Sequence, residues 1–438
     1  MTPSDQTRAI LADIKRKAQQ LADIDPYFID LSLRENVFGS NLGQTLDDKL
    51  SILPKLREFG FKNILLGTLD YAQPNVDEVD DDFMAHLKWK GIDMTGGFAF
   101  TDVGRIDGGH FIPSQSMYKL SNYGVPNTLH EVYLSPEGMK GQYTFEQLLQ
   151  SIAPSIDWIL ANCQGDHGGK PRIFINIVDG CDAFQENIEQ VEQFLQALAG
   201  SYIASRIEGL SFEDDRGTYM PFQVGGFTAI ARAYLPPPLK LLVHMHSGGG
   251  FENASVIEAL LNGADGVWGG LPKRAAMIGH ASLGELIANL MRVGNPHMAE
   301  HYKVDQLLPL ATSFQQLDTL SAVPDDLPIL GTNAYRLTLS FFEQLATRYM
   351  DLPPEKIGGK LGYRVCAVAA DPPVLRGRLV ETTGKPPSTY PDAVMEAMVR
   401  VMRADLRAGE RIDYDQPDTL WDLYQRALKE AKGEGKSP

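Results

Sequence analysis

Eight short apolar runs, at 27–33, 62–66, 94–100, 130–134, 172–178, 207–212, 241–243 and 265–268, constrain this chain more than any other feature. Each has the length and composition of a buried strand. Helical periodicity follows most of them, notably at 45–59, 145–162, 188–198, 222–234 and 254–261. Strands that alternate with amphipathic helices pair in parallel, because the helix carries the chain back to the starting edge. Eight such units predict an α/β fold, the closed (β/α)8 TIM barrel. An open doubly wound sheet is the alternative. The lack of a Gly-X-Gly-X-X-Gly segment after the first run counts against it.

At 438 residues the chain exceeds one average domain and suits a barrel with an extension. The pattern changes near residue 299, where helices continue without strands, at 337–349, 393–408 and 419–431. We therefore expect a catalytic barrel with a leading N-terminal helix over 1–298 and a helical C-terminal extension or lid over 299–438. The polar, proline-rich stretch 371–391 reads as a linker or lid, and the final GEGKSP as a disordered tail.

A net charge of −16 argues against a nucleic-acid or anionic-membrane surface, either of which needs basic patches. No apolar run approaches the roughly 20 residues that span a bilayer. Cys163, Cys181 and Cys366 have neither disulfide nor metal-ligand spacing, which fits a reducing cytoplasm. The expected partner is a small molecule rather than nucleic acid or membrane, and a homodimer is the expected assembly.

In a parallel barrel, functional residues collect at the C-terminal ends of the strands. The polar residues there are Arg34 and Glu35 after the first run, Asp70 after the second, and Asp179 after the fifth. Asp214, Asp215 and Arg216 follow the sixth, His244 and His246 end the seventh, and His280 lies in the loop after the eighth. Alternate strand residues face the same way, so His244 and His246 emerge together. Strand-end charges are common simply because those ends are wet. The convergence of Glu35, His244, His246 and His280 is what predicts a metal site, since imidazole is the commonest metal ligand.

These residues resemble the DRE-TIM metallolyases, the group of isopropylmalate synthase, homocitrate synthase and hydroxymethylglutaryl-CoA lyase. Asp30-Leu31-Ser32-Leu33-Arg34-Glu35 is similar to the family's first-strand Asp-Thr-Thr-Leu-Arg-Asp. The segment from Leu210 to Gly217 resembles Ile-Ser-Leu-Gly-Asp-Thr-Ile-Gly, and His244-Met245-His246 matches the paired histidine ligands. Gly279-His280-Ala281-Ser282-Leu283-Gly284-Glu285 is similar to Gly-Asn-Ala-Ser-Leu-Glu-Glu, and the segment from Pro328 to Tyr335 resembles the synthases' Pro-Ile-Val-Gly-Glu-Asn-Ala-Phe. The likeness runs from about residue 27 to 335, with the motifs in order.

There are departures. Glu35 stands where the family has Asp, His280 where it has Asn, and Phe38 where it has Gln. The carboxylates expected near Leu66 and Val178 are missing, as are the lyases' loop cysteine and the synthases' post-barrel histidine. The resemblance implies one divalent metal acting as a Lewis acid on a 2-oxo or 2-hydroxy acid. It implies that Arg34 stabilises the developing oxyanion and that Asp214 orients substrate or a ligating histidine. With Glu35, His244, His246 and His280 as ligands, the nitrogen-rich set favours Zn2+, Mn2+ or Fe2+ over Mg2+. No other cofactor motif is visible. Three activities stay open: a Claisen-type synthase that also takes an acyl-CoA, which the post-barrel segment favours; a carbon–carbon lyase or aldolase; and a non-haem iron oxygenase with a His3Glu site.

Overall fold

Eight parallel strands close on themselves in the order β1-β8-β7-β6-β5-β4-β3-β2. They are β1 (Tyr27–Asp30), β2 (Ile64–Thr68), β3 (Gly97–Asp102), β4 (Asn127–Val132), β5 (Ile173–Ile177), β6 (Gly209–Asp214), β7 (Lys240–Met245) and β8 (Gly266–Gly269). This computed structural model describes residues 2–69, 78–275, 278–346 and 352–432. Asp70 lies outside them, as does the end of the helix expected over 337–349. The closed (β/α)8 barrel is the predicted fold.

Period-two alternation in the strands fills the barrel. Ile29, Leu65, Phe98, Phe100, Leu129, Phe174, Leu242 and Trp268 point inward and form one buried cluster. Strand β4 begins earlier than its apolar residues suggest, because Asn127 and Thr128 are buried with their polar groups satisfied. Asn127 donates to the Gly97 carbonyl at 3.0 Å, and the Thr128 hydroxyl donates to that of Ala99 at 2.9 Å. The connecting helices follow the sequence pattern, with Phe145–Asn162 and Glu252–Leu261 as examples.

The chain divides into two compact units, Met1–Ala322 and Val323–Pro438. Helix Leu307–Thr319 therefore belongs with the barrel, where the buried Asp318 carboxylate accepts hydrogen bonds from Asn36 and Gln44. The second unit packs helices Pro372–Thr383, Asp392–Arg407 and Pro417–Ala431 around Leu375, Leu379, Met395, Met398 and Leu423. Two expectations need correction here. The stretch 371–391 is not simply a linker: Asp371 caps a helix that begins on Pro372, and proline at the first helical position starts a helix rather than breaking it. The helix expected from 337 begins only at Phe341, because Arg336–Leu337 pairs with Gly362–Tyr363 as a short parallel ribbon.

Candidate functional site

The register of β6 against β7 sets Glu213 directly opposite His244, and Ser211 opposite Leu242. Leu242 is a barrel-interior residue, so Glu213 and His244 also face inward, at the C-terminal rim. Asn176 on β5 donates to the Glu213 carboxylate. The ring of His244 lies flat on the indole of Trp268, with centroids 3.7 Å apart and planes 9° from parallel. Its Nδ1 is 2.8 Å from the Trp268 carbonyl oxygen, which can only accept. Nδ1 therefore carries the proton, and Nε2 presents a lone pair 3.1 Å from Nε2 of His246. Donor atoms of Glu213, His244 and His246 all lie within 4.8 Å of one another.

His280 joins from the loop after β8. Its backbone pairs with that of His246 as an isolated antiparallel bridge, which brings its ring to 5.2 Å from His244 and 6.2 Å from His246. Glu35 opens the short helix Glu35–Phe38 just beyond β1, and one carboxylate oxygen is held by Arg34. Arg34 is fixed in turn by a 2.7 Å bond from its Nε to the Thr68 hydroxyl, with its guanidinium 4.4 Å from the Phe38 ring centroid and 5.2 Å from that of Phe100. Thus Arg34, Glu35, His244, His246 and His280 come together. Glu35 and His280 stand outside the tightest group, where the carboxylate is Glu213.

Asp214 has a different job from its neighbour. Its two oxygens accept the backbone amides of Thr218 and Tyr219 at 3.1 and 2.9 Å, and its own carbonyl accepts the amide of His246 at 3.0 Å. The side chain thereby shapes the loop after β6, and its charge favours the protonated form of His246. That loop lies backbone against backbone on the glycine loop after β7. Gly217 adopts φ +64°, and a Cβ there would stand 2.1 Å from the His246 carbonyl oxygen, so only glycine fits.

Burial dominates the electrostatics. It holds His244 well below the usual imidazole value, lowers His246, and takes His280 down to about 4 against the pull of Glu35. All three rings are neutral near pH 7. Burial also opposes ionisation of Glu35, but Arg34 and then His280 and His246 outweigh it, so this carboxylate titrates below its ordinary value. Glu213 goes the other way, pushed well up by burial and then by the charge of Glu131.

The donor set fits a divalent transition ion. His246 Nδ1 and His280 Nε2 are buried and have no hydrogen-bond partner among the described residues. An unpaired buried polar atom is costly, and a metal bond removes that cost. The Nδ1 proton of His244, held by a backbone carbonyl, is the arrangement that orients metal-binding imidazoles. Sequence reasoning missed Glu213 and Trp268. The signal for Glu213 was strand parity: the even-spaced Ser211 and Glu213 share the inward face, whereas Asp214 does not.

No protein-family profile and no curated protein matches the chain. Solved structures do. An HMG-CoA lyase from Acinetobacter baumannii, in complex with coenzyme A and 3-methylmalate, superposes with a TM-score of 0.54 at 15% identity, covering 70% of this chain and 94% of that one. An HMG-CoA lyase from Bacillus subtilis gives 0.54 at 17%, covering 69% and 96%. The chain has the HMG-CoA lyase barrel fold. At this identity the likeness concerns architecture, and the chemistry rests on the residues at the rim. No helix among the described residues is long and apolar enough to cross a membrane.

Proposed function

We propose that the protein is a divalent-metal-dependent carbon–carbon lyase or aldolase acting on a 2-oxo or 2-hydroxy carboxylic acid. The observation that carries this reading is the His244–His246–Glu213 group beside the Arg34–Glu35 pair at the C-terminal rim. His244, His246 and Glu213 would hold the ion, with His280 and Glu35 as the adjoining donors. Zn2+, Mn2+ or Fe2+ suits this set better than Mg2+. The bound ion supplies Lewis acidity at a substrate oxygen.

The chain's own residues define the rest. Burial keeps the imidazoles neutral, so their lone pairs are available without competition from protons at pH 7. Glu213 must release its proton to take a place among the donors, which couples ligation to pH. Arg34 would stabilise negative charge on a substrate oxygen as the bond breaks, and its fixed contacts to Thr68 and Glu35 support that role. Asp214 holds the loop that carries the His246 backbone. The HMG-CoA lyase likeness supports cleavage, and the ligands of the Acinetobacter enzyme, coenzyme A and 3-methylmalate, support a carboxylate substrate carried on or delivered to coenzyme A.

A condensing synthase using an acyl-CoA is the second reading, favoured by residues 328–335. The test is turnover of a panel of 2-oxo and 2-hydroxy acids and their CoA thioesters, with products followed by mass spectrometry, anaerobically and in air. Cleavage without oxygen, abolished in His246→Ala, is the expected result. Products longer by the acyl group would establish the synthase instead. Turnover that requires oxygen would overturn both and leave an iron oxygenase.

A further inference from the structure

The opposite, N-terminal end of the barrel carries a second group of donors. Asp25 lies just before β1. His297 and His301 belong to the one-turn helix His297–His301, which follows the helix Leu283–Arg292 packed outside the barrel. Positions four apart put both histidines on one helix face, with ring centroids 5.9 Å apart and planes 13° from parallel. Donor atoms of Asp25, His297 and His301 all lie within 4.8 Å of one another.

Three further contacts prepare this group. His301 Nε2 is 3.1 Å from the Asp25 carboxylate. His297 Nδ1 is 3.1 Å from the Glu300 carboxylate, and a carboxylate that holds one ring nitrogen is the arrangement that orients metal-binding histidines. The two chain segments are clamped by Asn295. Its Nδ2 donates to the carbonyls of Leu21 and Ile24 at 2.8 and 2.7 Å, and its oxygen accepts the His297 amide at 3.0 Å. Behind it, Tyr302 is locked among Phe28, Phe59 and Phe61 at ring distances of 5.2–6.0 Å. Asp25 and His301 line a cleft of about 700 Å³ under the barrel. The histidine side chains keep 29% and 30% of their exposure, and Asp25 55%, so an ion has access from solvent.

We propose that Asp25, His297 and His301 bind a zinc ion at the N-terminal end of the barrel, separate from the strand-end site. Two imidazoles and one carboxylate form a common three-residue zinc donor set, leaving a fourth position for water or a ligand in the cleft. The ion joins the chain before β1 to the helix after the barrel, and so fastens the seam where the barrel closes. A ligand that binds only the folded state raises its stability.

The experiment uses the full chain, stripped with a chelator, reloaded with zinc and desalted. Zinc per chain is measured by elemental analysis, and the zinc-induced change in Tm by calorimetry. The variants are His297→Ala and Asp25→Asn, each made in the native chain and in a His246→Ala background. Each N-terminal variant should hold one zinc fewer than its own parent. The rise in Tm, about 3–4 °C with free zinc restored to a hundredfold excess over Kd, should persist in His246→Ala and disappear when His297→Ala is added. Asp25→Asn is isosteric and covers failure of the alanine variant to fold. Equal zinc and equal Tm response with and without His297 and Asp25 would overturn the proposal. Failure of the strand-end reading has a different signature: His246→Ala would then hold as much zinc as the native chain, while His297→Ala still lost one.

Discussion

Arg34→Ala should lower stability and activity by separate routes that a second substitution pulls apart. The Arg34 and Glu35 side chains are only 5% and 6% exposed, so their ion pair is not screened by solvent. Removing the guanidinium leaves the Glu35 carboxylate buried without it, which costs about 3–5 kcal/mol. Loss of the contacts to Phe38 and Phe100 adds about 1 kcal/mol. The variant Arg34→Ala with Glu35→Gln removes the stranded charge and should recover about 3 kcal/mol of that loss. The pH dependence follows with a definite sign. In the native chain Glu35 has a lowered value, so its contribution to stability is present above the ordinary carboxylate value and is lost as pH falls. Without Arg34, burial raises Glu35 instead, and stability should decline as pH rises from about 4.5. Urea unfolding of the metal-free protein from pH 3 to 8 reads both effects, the native loss below about 4.5 and the variant's decline above it. Activity should fall about 10²–10³-fold in Arg34→Ala because the oxyanion partner is missing, and at least as far in the double variant, which also lacks the Glu35 donor. If the double variant is no more stable than Arg34→Ala, the pair does not hold Glu35 ionised and the reasoning fails.

Other outcomes are equally definite. His246→Ala should lose the strand-end metal and all turnover; stoichiometric metal at that site, measured in a chain that also carries His297→Ala, would sink the ligand assignment. Trp268→Leu removes the face on which His244 lies and should weaken that metal about 10–100-fold, read by competition with a chelating dye. Asp214→Ala deprives two backbone amides of their acceptor and should cost about 1–3 kcal/mol in urea unfolding with metal content unchanged; metal loss would make Asp214 more than a loop residue. Glu285 is pushed up to about 7 by burial, and its folded value lies above its unfolded one, so stability is lost as pH rises from about 4.5 to 7. Glu285→Gln should abolish about 3 kcal/mol of that decline, and parallel curves for the two proteins would refute the shift.

The sequence by itself determined the barrel, because both of its signals are local. Alternation of short apolar runs with 3.6-residue periodicity survives in any window of ten or so residues. It also determined that His244 and His246 share a face, since period two along β7 needs no knowledge of its neighbours. The position of Arg34 and Glu35 at the end of β1 was legible for the same reason, but that the two side chains pair with each other was not.

What only the tertiary structure decided is which distant groups meet. Glu213 rather than Asp214 faces the histidines because the β6–β7 register sets it opposite His244, and register is fixed by packing across the barrel. Trp268 supports His244 from the next strand through a stack and a carbonyl that no pattern in either segment announces. Asp25 meets His297 and His301 because barrel closure returns the chain after β8 to the start of β1. Sequence patterns report how each segment folds against water. Contacts between segments depend on closure and register, which the whole core settles at once.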